Sequence, residues 1–542
     1  MVYFIIMMSE DPCAVTEELT KMSEALQKHR LAITDTNENG DGFARLDRMA
    51  VFIPGLVSGD VADVTITDTR KNYAIGRCDR LLDRSVHRIA PVCADFGSCG
   101  GCTLCHVTYE YENAVKYGCV RSALRRVGLS PDVVREVCST PARIGYRNKI
   151  GLHYDSSARA FGYNARSSHE VLPFTYCHLC TEEMNELVRY VNDHIDTVAP
   201  LSPTELFVRL SSDGGITVSL YTSSTDGPIE PLRALLTKRF ESVRDVVRIS
   251  GENGGSASVT EEYLGVSMRF SSESFRQVNH DAVELLMNKV CDFAAEQTFS
   301  YAADLYCGSG AFGLVLAKRF PDAHFFGVEL DRDAIEAARA NAERNGLSNI
   351  SFVCADAASF DGRIPDGRGG FYPPELVVVD PPRAGLSDGM RDGLLRLAPK
   401  RLVYVSCNPQ TMARDLAHLV RGGYTLLSAE PVNMFPMTRH VETVCLLSKL
   451  QNRQHIEIEL NMDELDVTDA EKKATYQEIK DYVLEHSGLK VSSLYIAQVK
   501  QKCGIIEREN YNKPKSEDAK QPQCPPDKEK AIKEALQHFG MI

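Results

Sequence analysis

A thiol at the end of a buried strand is the first feature of this sequence able to do chemistry. Val403-Tyr404-Val405 reads as the strand, Ser406 ends it, and Asn408-Pro409 turns the chain away, which leaves Cys407 at the C-terminal tip. In open α/β sheets that edge is where ligands bind. A free cysteine is otherwise a small buried hydrophobe, so its neighbours decide the reading. Cys307 and Cys445 are rival thiols: the first lies in a glycine loop, and the second sits inside an apolar strand where packing accounts for it. His440-Val441-Glu442-Thr443-Val444 brings a carboxylate beside a strand, with His440 as its rival base.

A second group is a run of thiols. Cys93, Cys99, Cys102 and Cys105 stand close together, and Cys177 and Cys180 form a later pair. Soft ligands at this density select zinc or an iron–sulfur cluster. Two CxxC pairs, Cys99/Cys102 and Cys177/Cys180, suit zinc. Cys93, Cys99 and Cys102 with one distant cysteine suit a cluster.

The third group is a glycine loop. Tyr301 to Tyr306 reads as a short strand, and Gly308, Gly310 and Gly313 follow before a helix. Glycines there let the backbone approach a nucleotide, and Glu329, closing the next strand, can accept from ribose hydroxyls. Asp356, after a third strand, suits an adenine edge. A fourth, wholly apolar strand ends in Asp380-Pro381-Pro382-Arg383, where the prolines stiffen the loop around the carboxylate. The loop alone fits NAD as well as S-adenosylmethionine, and Asp-Pro-Pro after the fourth strand favours a methyltransferase.

These groups need elements to position them. The alternation of short strands and helices over 281–450 predicts a Rossmann-like α/β domain, entered by a helix from Asp281 to Gln297. Residues 15–29 read as a polar helix within an N-terminal extension, 1–26. Short strands with Asn39-Gly40 and Asp41-Gly42 turns predict a small OB-type barrel over 27–88. Its closing segment carries Arg70, Lys71, Arg77, Arg80, Arg84 and Arg88, a basic stripe able to meet phosphates. A mixed α+β domain over 89–280 holds the cysteines. Residues 451–542 read as a helical extension, with a capping box at Thr468 and Glu471 and helices near 493–503 and 527–539.

With 542 residues the chain exceeds one core, and 43% hydrophobic with 25% charged residues is a globular composition. The net charge of −13 argues against a protein coated for nucleic acid and leaves binding to local patches. The opening MVYFIIMM is too short for a membrane span and lacks a basic flank; the expected start is Met7 or Met8, and the expected location is cytoplasmic. Seventeen cysteines then read as thiols, ligands or catalysts rather than disulfides.

Several strings together resemble the RNA (uracil-5-)-methyltransferase family of the 23S rRNA type. They are GDGFAR and VFIPG in the barrel, PVCADFGSCGGCTLCH, YRNK, Phe275-Arg276-Gln277-Val278-Asn279, DPPRxG, SCNP and HVETV. The resemblance spans nearly all of 27–450 and makes the barrel a TRAM domain. It implies Cys407 as a nucleophile that adds to carbon 6 of a uridine, and Glu442 as the base that removes the proton from carbon 5. It implies S-adenosylmethionine as methyl donor, with Gln277 contacting it alongside Tyr306, Gly308, Gly310, Glu329, Asp356 and Asp380. A 4Fe-4S cluster on Cys93, Cys99, Cys102 and Cys177 is implied as well. Cys105, where the family usually has glutamine, and Cys180 depart from the pattern. The expected partner is RNA, 23S rRNA before tRNA, with the target base flipped out of its stack and the enzyme a monomer. Two readings stand beside it: a tRNA methyltransferase, and a non-catalytic RNA-binding or assembly factor on the same scaffold. A DNA cytosine methyltransferase would want a Pro-Cys loop where this chain has Asp380-Pro381-Pro382-Arg383.

Overall fold

The computed structural model describes residues 28–166, 168–251, 257–365, 371–449, 476–503, 524–539 and 541. They fall into two compact units, one reaching to Gln451 and one beginning at Asn452.

The first unit opens with six strands: β1 (Lys28–Ala32), β2 (Asp35–Thr36), β3 (Gly42–Leu46), β4 (Met49–Ile53), β5 (Val61–Thr69) and β6 (Tyr73–Asp83). Lys28 and His29 therefore begin a strand and not the end of a helix; the rest of that expected helix lies outside the described residues. The order is β1-β5-β6-β4-β3-β2. Alternate residues point inward, as period two requires, so Val51, Ile53, Ala62, Val64 and Ala74 form a core with Leu31 and Ile33. Gly76 is demanded by packing, because a Cβ there would stand 2.5 Å from Val64 Cγ1. Much of the basic stripe is spent within the barrel. Arg70, Arg77 and Arg80 pair with Asp68, Asp79 and Asp63, and half-buried Arg88 grips buried Asp60 at 2.6 Å.

Helix α1 (Tyr109–Arg126) follows the cysteine run, and Thr108 caps it by accepting from the Tyr111 N–H. A mixed sheet comes next, β7 (Lys149–Asp155), β8 (Ala160–Asn164), β9 (Val171–Pro173), β10 (Pro203–Leu210), β11 (Ile216–Thr222) and β12 (Val243–Ile249), in the order β12-β11-β10-β7-β8-β9. Helices α2 (Glu182–Asp193) and α3 (Glu230–Arg239) share its apolar core. A hairpin, β13 (Ser258–Tyr263) and β14 (Val266–Ser271), leads to helix α4 (His280–Ala295).

The largest sheet has seven strands: β15 (Tyr301–Leu305), β16 (His324–Glu329), β17 (Ile350–Cys354), β20 (Leu376–Val379), β21 (Arg401–Ser406), β22 (Thr425–Val432) and β23 (Glu442–Ser448). A small ribbon, β18 (Ile364–Pro365) and β19 (Phe371–Tyr372), interrupts the sequence between the third and fourth of these. The order is β17-β16-β15-β20-β21-β23-β22, parallel except for antiparallel β23. Both faces are covered, which is why these strands read as continuous apolar runs. Val378, Val403, Val405 and Val444 pack in one core, and Val379, Leu402, Tyr404 and Cys445 pack in the other. The covering helices are α4 and α5 (Ala311–Arg319), α6 (Arg332–Arg344), α7 (Asp388–Leu397) and α8 (Pro409–Arg421).

Helix α1 also joins this sheet. Its Val120, Ala123 and Leu124 sit in the same core as Tyr404, and Val134 and Cys138 bridge to Ala429 and Val432 of β22. Buried Lys116 on α1 donates to Glu112 at 2.9 Å, to Asn433 Oδ1 at 2.5 Å and to the Phe435 carbonyl at 3.0 Å. Burial lowers the Lys116 pKa to about 8, against the pull of Glu112. Arg143 holds the other Glu112 oxygen at 2.9 Å, and the Met437 N–H donates to the same carboxylate. This network anchors the loop that leads into β23. Lys116→Met is therefore expected to lower stability by about 3 kcal/mol, because a buried carboxylate loses a cation. The check is the denaturant midpoint at unchanged m-value.

The second unit contains α9 (Tyr476–Ser487), α10 (Ser493–Lys502) and α11 (Pro526–His538), packed through Ile479, Val483, Ile496, Val499, Ile532 and Leu536. The expected capping box at Thr468 lies outside the described residues. No helix among the described residues is long and apolar enough to cross a membrane.

Candidate active site

Strand order reverses between β15 and β20, and the C-terminal ends of the strands at such a reversal are where open α/β sheets bind ligands. The glycine loop leaves β15 on one side of it, and Asp380 ends β20 on the other. Tyr306 starts the loop at φ 66°, a left-handed conformation unusual for a side chain of its size. Its N–H and that of Cys307 donate to the Val328 carbonyl and lash the loop to β16. Gly308 and Gly310 take φ of 53° and 86°. Nothing lies within 4 Å of a Cβ built on Gly308, so its face is open to a ligand. Glu329 accepts from the Gly308 N–H at 3.1 Å, which fixes this carboxylate at the loop. Asp356 lies beyond β17 and accepts from the Ala358 N–H at 2.9 Å. Half-buried Gln277 accepts on its backbone carbonyl from Asn148 at 3.4 Å.

Sequence reasoning passed over Asp304. It is buried under the loop and accepts from the Gly313 N–H at 2.8 Å. Burial pushes its pKa up to about 7, with Asp380 and Glu329 adding to the rise. Its place one residue before the end of a strand that feeds a glycine loop was the available signal. Burial likewise raises Asp380 to about 7.

Cys407 and Glu442 meet through strand register. Ser406 of β21 pairs with Thr443 of antiparallel β23, so the next positions outward are Cys407 and Glu442, opposite one another. Cys407 occupies a tight turn, in which the Asn408 N–H donates to Ser406 Oγ at 3.0 Å and Asn408 caps α8 through the Gln410 N–H at 3.1 Å. Buried Tyr404 donates to Asp415 at 2.8 Å, and Asp415 also accepts from the Leu386 N–H at 2.7 Å. The Asp-Pro-Pro-Arg loop is thus tied to the helix that follows the thiol. Burial raises the Cys407 pKa, Glu442 raises it further, and Arg383, hydrogen-bonded to the thiol, opposes both. Glu442 is 2% exposed. Burial and then Asp380 lift its pKa to about 8, against Arg383. Sequence reasoning named Arg383 as part of the Asp-Pro-Pro-Arg string without giving it a place beside Cys407 and Glu442. Burial and surrounding cations lower His440 to about 4, so its ring is neutral near pH 7 and a weak proton acceptor. Cys445 is wholly buried, with its sulfur 3.5 Å from that of Met412.

The thiols of the cysteine run share one neighbourhood. Cys93, Cys99 and Cys102 each feel the charge of Cys177. Cys177 is held low, first by a hydrogen bond from Cys180 and, against burial, by one from Tyr163. Among the described residues no three His, Cys, Asp or Glu side chains are grouped as ligands of one ion. The side chains gathered here are thiols, the donor type that both zinc and iron–sulfur clusters take. Cys105 is buried against Leu179 and Met437, beside Cys102 and Cys177. The YRNK string faces inward: Tyr146 donates to the Pro436 carbonyl at 3.0 Å, and the Arg147 N–H donates to the Leu179 carbonyl at 2.7 Å.

Comparison with known proteins gives a consistent picture. Residues 259–450 match the model of the tRNA (uracil-5-)-methyltransferase family, and 26–78 match the TRAM domain. An uncharacterized RNA methyltransferase of Chlorobaculum tepidum is 32% identical over 468 residues, covering 78% of this chain and 96% of its own. Another from Listeria innocua is 30% identical over 447 residues, covering 78% and 98%. Among solved structures, the tRNA (uracil-54, C5)-methyltransferase of Pyrococcus abyssi, in complex with S-adenosyl-L-homocysteine, superposes with a TM-score of 0.61. It is 25% identical and covers 77% of this chain and all of that one.

Proposed function

Because the chain belongs to the RNA (uracil-5-)-methyltransferase family, with a TRAM domain at its N-terminal side, we propose that it methylates carbon 5 of a uridine in 23S rRNA through a covalent Cys407 adduct. The observation that carries this reading is the register of β21 and β23, which brings a thiol and a buried carboxylate opposite each other beside the ligand crevice. Carbon 5 of uracil is a poor nucleophile. The Cys407 thiolate adds to carbon 6, and the electron pair moves to carbon 5 and the carbonyl, making an enolate. S-adenosylmethionine supplies the methyl group and leaves as S-adenosylhomocysteine. Glu442, which ionises as pH rises through about 8, then takes the proton from carbon 5 in its carboxylate form, the carbon 5–carbon 6 double bond re-forms, and the thiolate is expelled. Arg383 steadies the thiolate.

Tyr306, Gly308, Gly310, Glu329, Asp356, Asp380 and Gln277 would hold the methyl donor, with Glu329 on the ribose. Cys93, Cys99, Cys102 and Cys177 would hold a 4Fe-4S cluster that cross-links the cysteine loop to the segment before α2. The enzyme acts as a cytoplasmic monomer. The rRNA target rests on the cysteine segment. A tRNA target is the second reading, supported by the name of the matching family model and by the Pyrococcus abyssi structure.

The test is methylation mapping. Protein and S-adenosylmethionine are incubated with ribosomal and transfer RNA lacking 5-methyluridine, and products are located by nuclease digestion and mass spectrometry. Methyl on 23S rRNA is the expected result. Methyl on tRNA alone overturns the substrate, and methyl on neither overturns the activity. Iron and sulfide analysis of anaerobically purified protein is expected to give a 4Fe-4S content, lost in Cys99→Ser; zinc without iron overturns the cluster.

A further inference from the structure

Helix α1 and the outer face of the barrel enclose a groove. Period two turns Phe43 of β3, Phe52 of β4 and Tyr73 of β6 away from the barrel core. Their rings form a row, with centroids 5.7 Å apart between Phe43 and Phe52 and 5.9 Å apart between Phe52 and Tyr73. Outward faces of antiparallel sheets are ordinarily polar, and a contiguous apolar patch marks an interaction surface. The opposite wall is one stripe of α1, where Tyr111, Ala114, Gly118 and Ser122 recur every three or four residues. Thr36 ties the two walls together, its hydroxyl 2.9 Å from that of Tyr111. The space between them is about 790 Å³, within the range of ligand pockets.

Two features fit the groove for an occupant. Gly118 lies in the interior of an 18-residue helix, where glycine is costly relative to alanine. Nothing stands within 4 Å of a Cβ built on it. No neighbour among the described residues demands this glycine, whereas a chain laid against bare helix backbone does. The second feature is charge. Asp35, Glu38 and Asp41 line the groove against one cation, Arg126. Arg126 is already paired, with Glu38 at 3.1 Å, and it donates to Gln410 at 3.2 Å. Asp41 stands 3.7 Å from Arg166. Asp35 accepts from the neighbouring Thr36 N–H at 2.8 Å, a bond that leaves its charge unbalanced.

Carboxylates beside aromatic faces suit guanidinium or ammonium groups carried on apolar stems. Arg45 makes this contact within the chain, its guanidinium 5.7 Å from the Phe43 ring centroid. A phosphate backbone would meet three carboxylates and a cation already taken. We propose that the groove docks a protein partner through a short segment bearing arginine or lysine. The cations of that segment reach Asp35, Glu38 and Asp41, and its stems lie between the aromatic row and Gly118. The docking site stands independently of the methyl-transfer reading.

Phage-displayed random short peptides, selected on the full-length protein with Gly118→Leu as counter-target, test it. Leucine fills the groove and raises helix propensity, so the Tm of this variant is expected to hold or rise. Asp35→Asn removes the charge and keeps the acceptor for Thr36, and it decides the matter if Gly118→Leu loses Tm. Selected peptides are expected to be rich in arginine and lysine. By fluorescence anisotropy they should bind each variant about tenfold more weakly than the wild type, the value of one charge-assisted contact. Binding should also weaken as salt is raised. Selection of peptides without cations, equal binding by wild type and variants, or no peptide that prefers the wild type overturns the docking site. A labelled oligouridylate whose binding falls about tenfold in Gly118→Leu makes the groove an RNA surface and overturns it as well.

Discussion

Cys407→Ala is expected to abolish methyl transfer, lowering the rate by at least about 10⁴-fold while the protein stays folded. The side chain is half-buried at a strand tip, so its loss leaves no core cavity. Its backbone turn is held by Ser406 and Asn408, which the change does not touch. Cys407→Ser should fail as well, because an alkoxide forms far less readily than a thiolate beside a buried carboxylate. Burial and Glu442 raise the thiol's pKa, with Arg383 as the opposing charge. Activity should therefore rise with pH above neutrality, as the thiolate fraction grows. Methyl incorporation from labelled S-adenosylmethionine measures the loss, and circular dichroism confirms the fold. Full methylation by Cys407→Ala would remove the covalent mechanism and leave the family membership intact.

Glu442→Gln is expected to stop the reaction one step later. The thiol still adds and the methyl still transfers, but nothing takes the proton from carbon 5, so the thiolate cannot leave. Turnover should fall about 10³- to 10⁴-fold, and a methylated protein–RNA adduct should persist on a denaturing gel. Absence of an adduct together with normal turnover would assign the base elsewhere. The same variant has a stability signature. Glu442 titrates at about 8 when folded, above the ordinary carboxylate range, because it is buried next to Asp380. The folded protein thus keeps a proton that the unfolded chain has released, and stability falls as pH rises from the ordinary carboxylate range through about 8. Glutamine removes that cost. Tm of Glu442→Gln should exceed that of the wild type by about 2–5 °C at pH 8, with the difference shrinking toward pH 5. A site more stable without its catalytic carboxylate is what a buried functional charge produces.

The electrostatics reconcile an acidic protein with an RNA substrate. The stripe from Arg70 to Arg88 reads as a phosphate-binding face, yet Arg88 holds buried Asp60 and three others pair with neighbouring carboxylates. Arg383, of the Asp-Pro-Pro-Arg loop, and Arg439, on the approach to β23, stand near enough to His440 to lower its pKa, together with the buried Lys116 and Arg147.

By itself the sequence determined what local chemistry can encode. Apolar runs ending in glycine, Asp-Pro-Pro or Asn-Pro marked β15, β20 and β21, because strand propensity and turn residues act over a few positions. Strand ends in an open α/β sheet face the ligand crevice, so Glu329, Asp356, Asp380 and Cys407 were legible as candidates. The tertiary structure decided what depends on register and burial. Only the antiparallel insertion of β23 beside β21 puts Glu442 opposite Cys407, since no spacing along the chain specifies which strand enters between two others. Only packing reveals that Asp304 and Lys116 are buried, that α1 joins the seven-stranded sheet, and that Asn39 of the barrel touches Arg439, three residues before Glu442. Local pattern fixes what a residue is able to do; desolvation and long-range contact, which have no local signature, set its pKa and its partner.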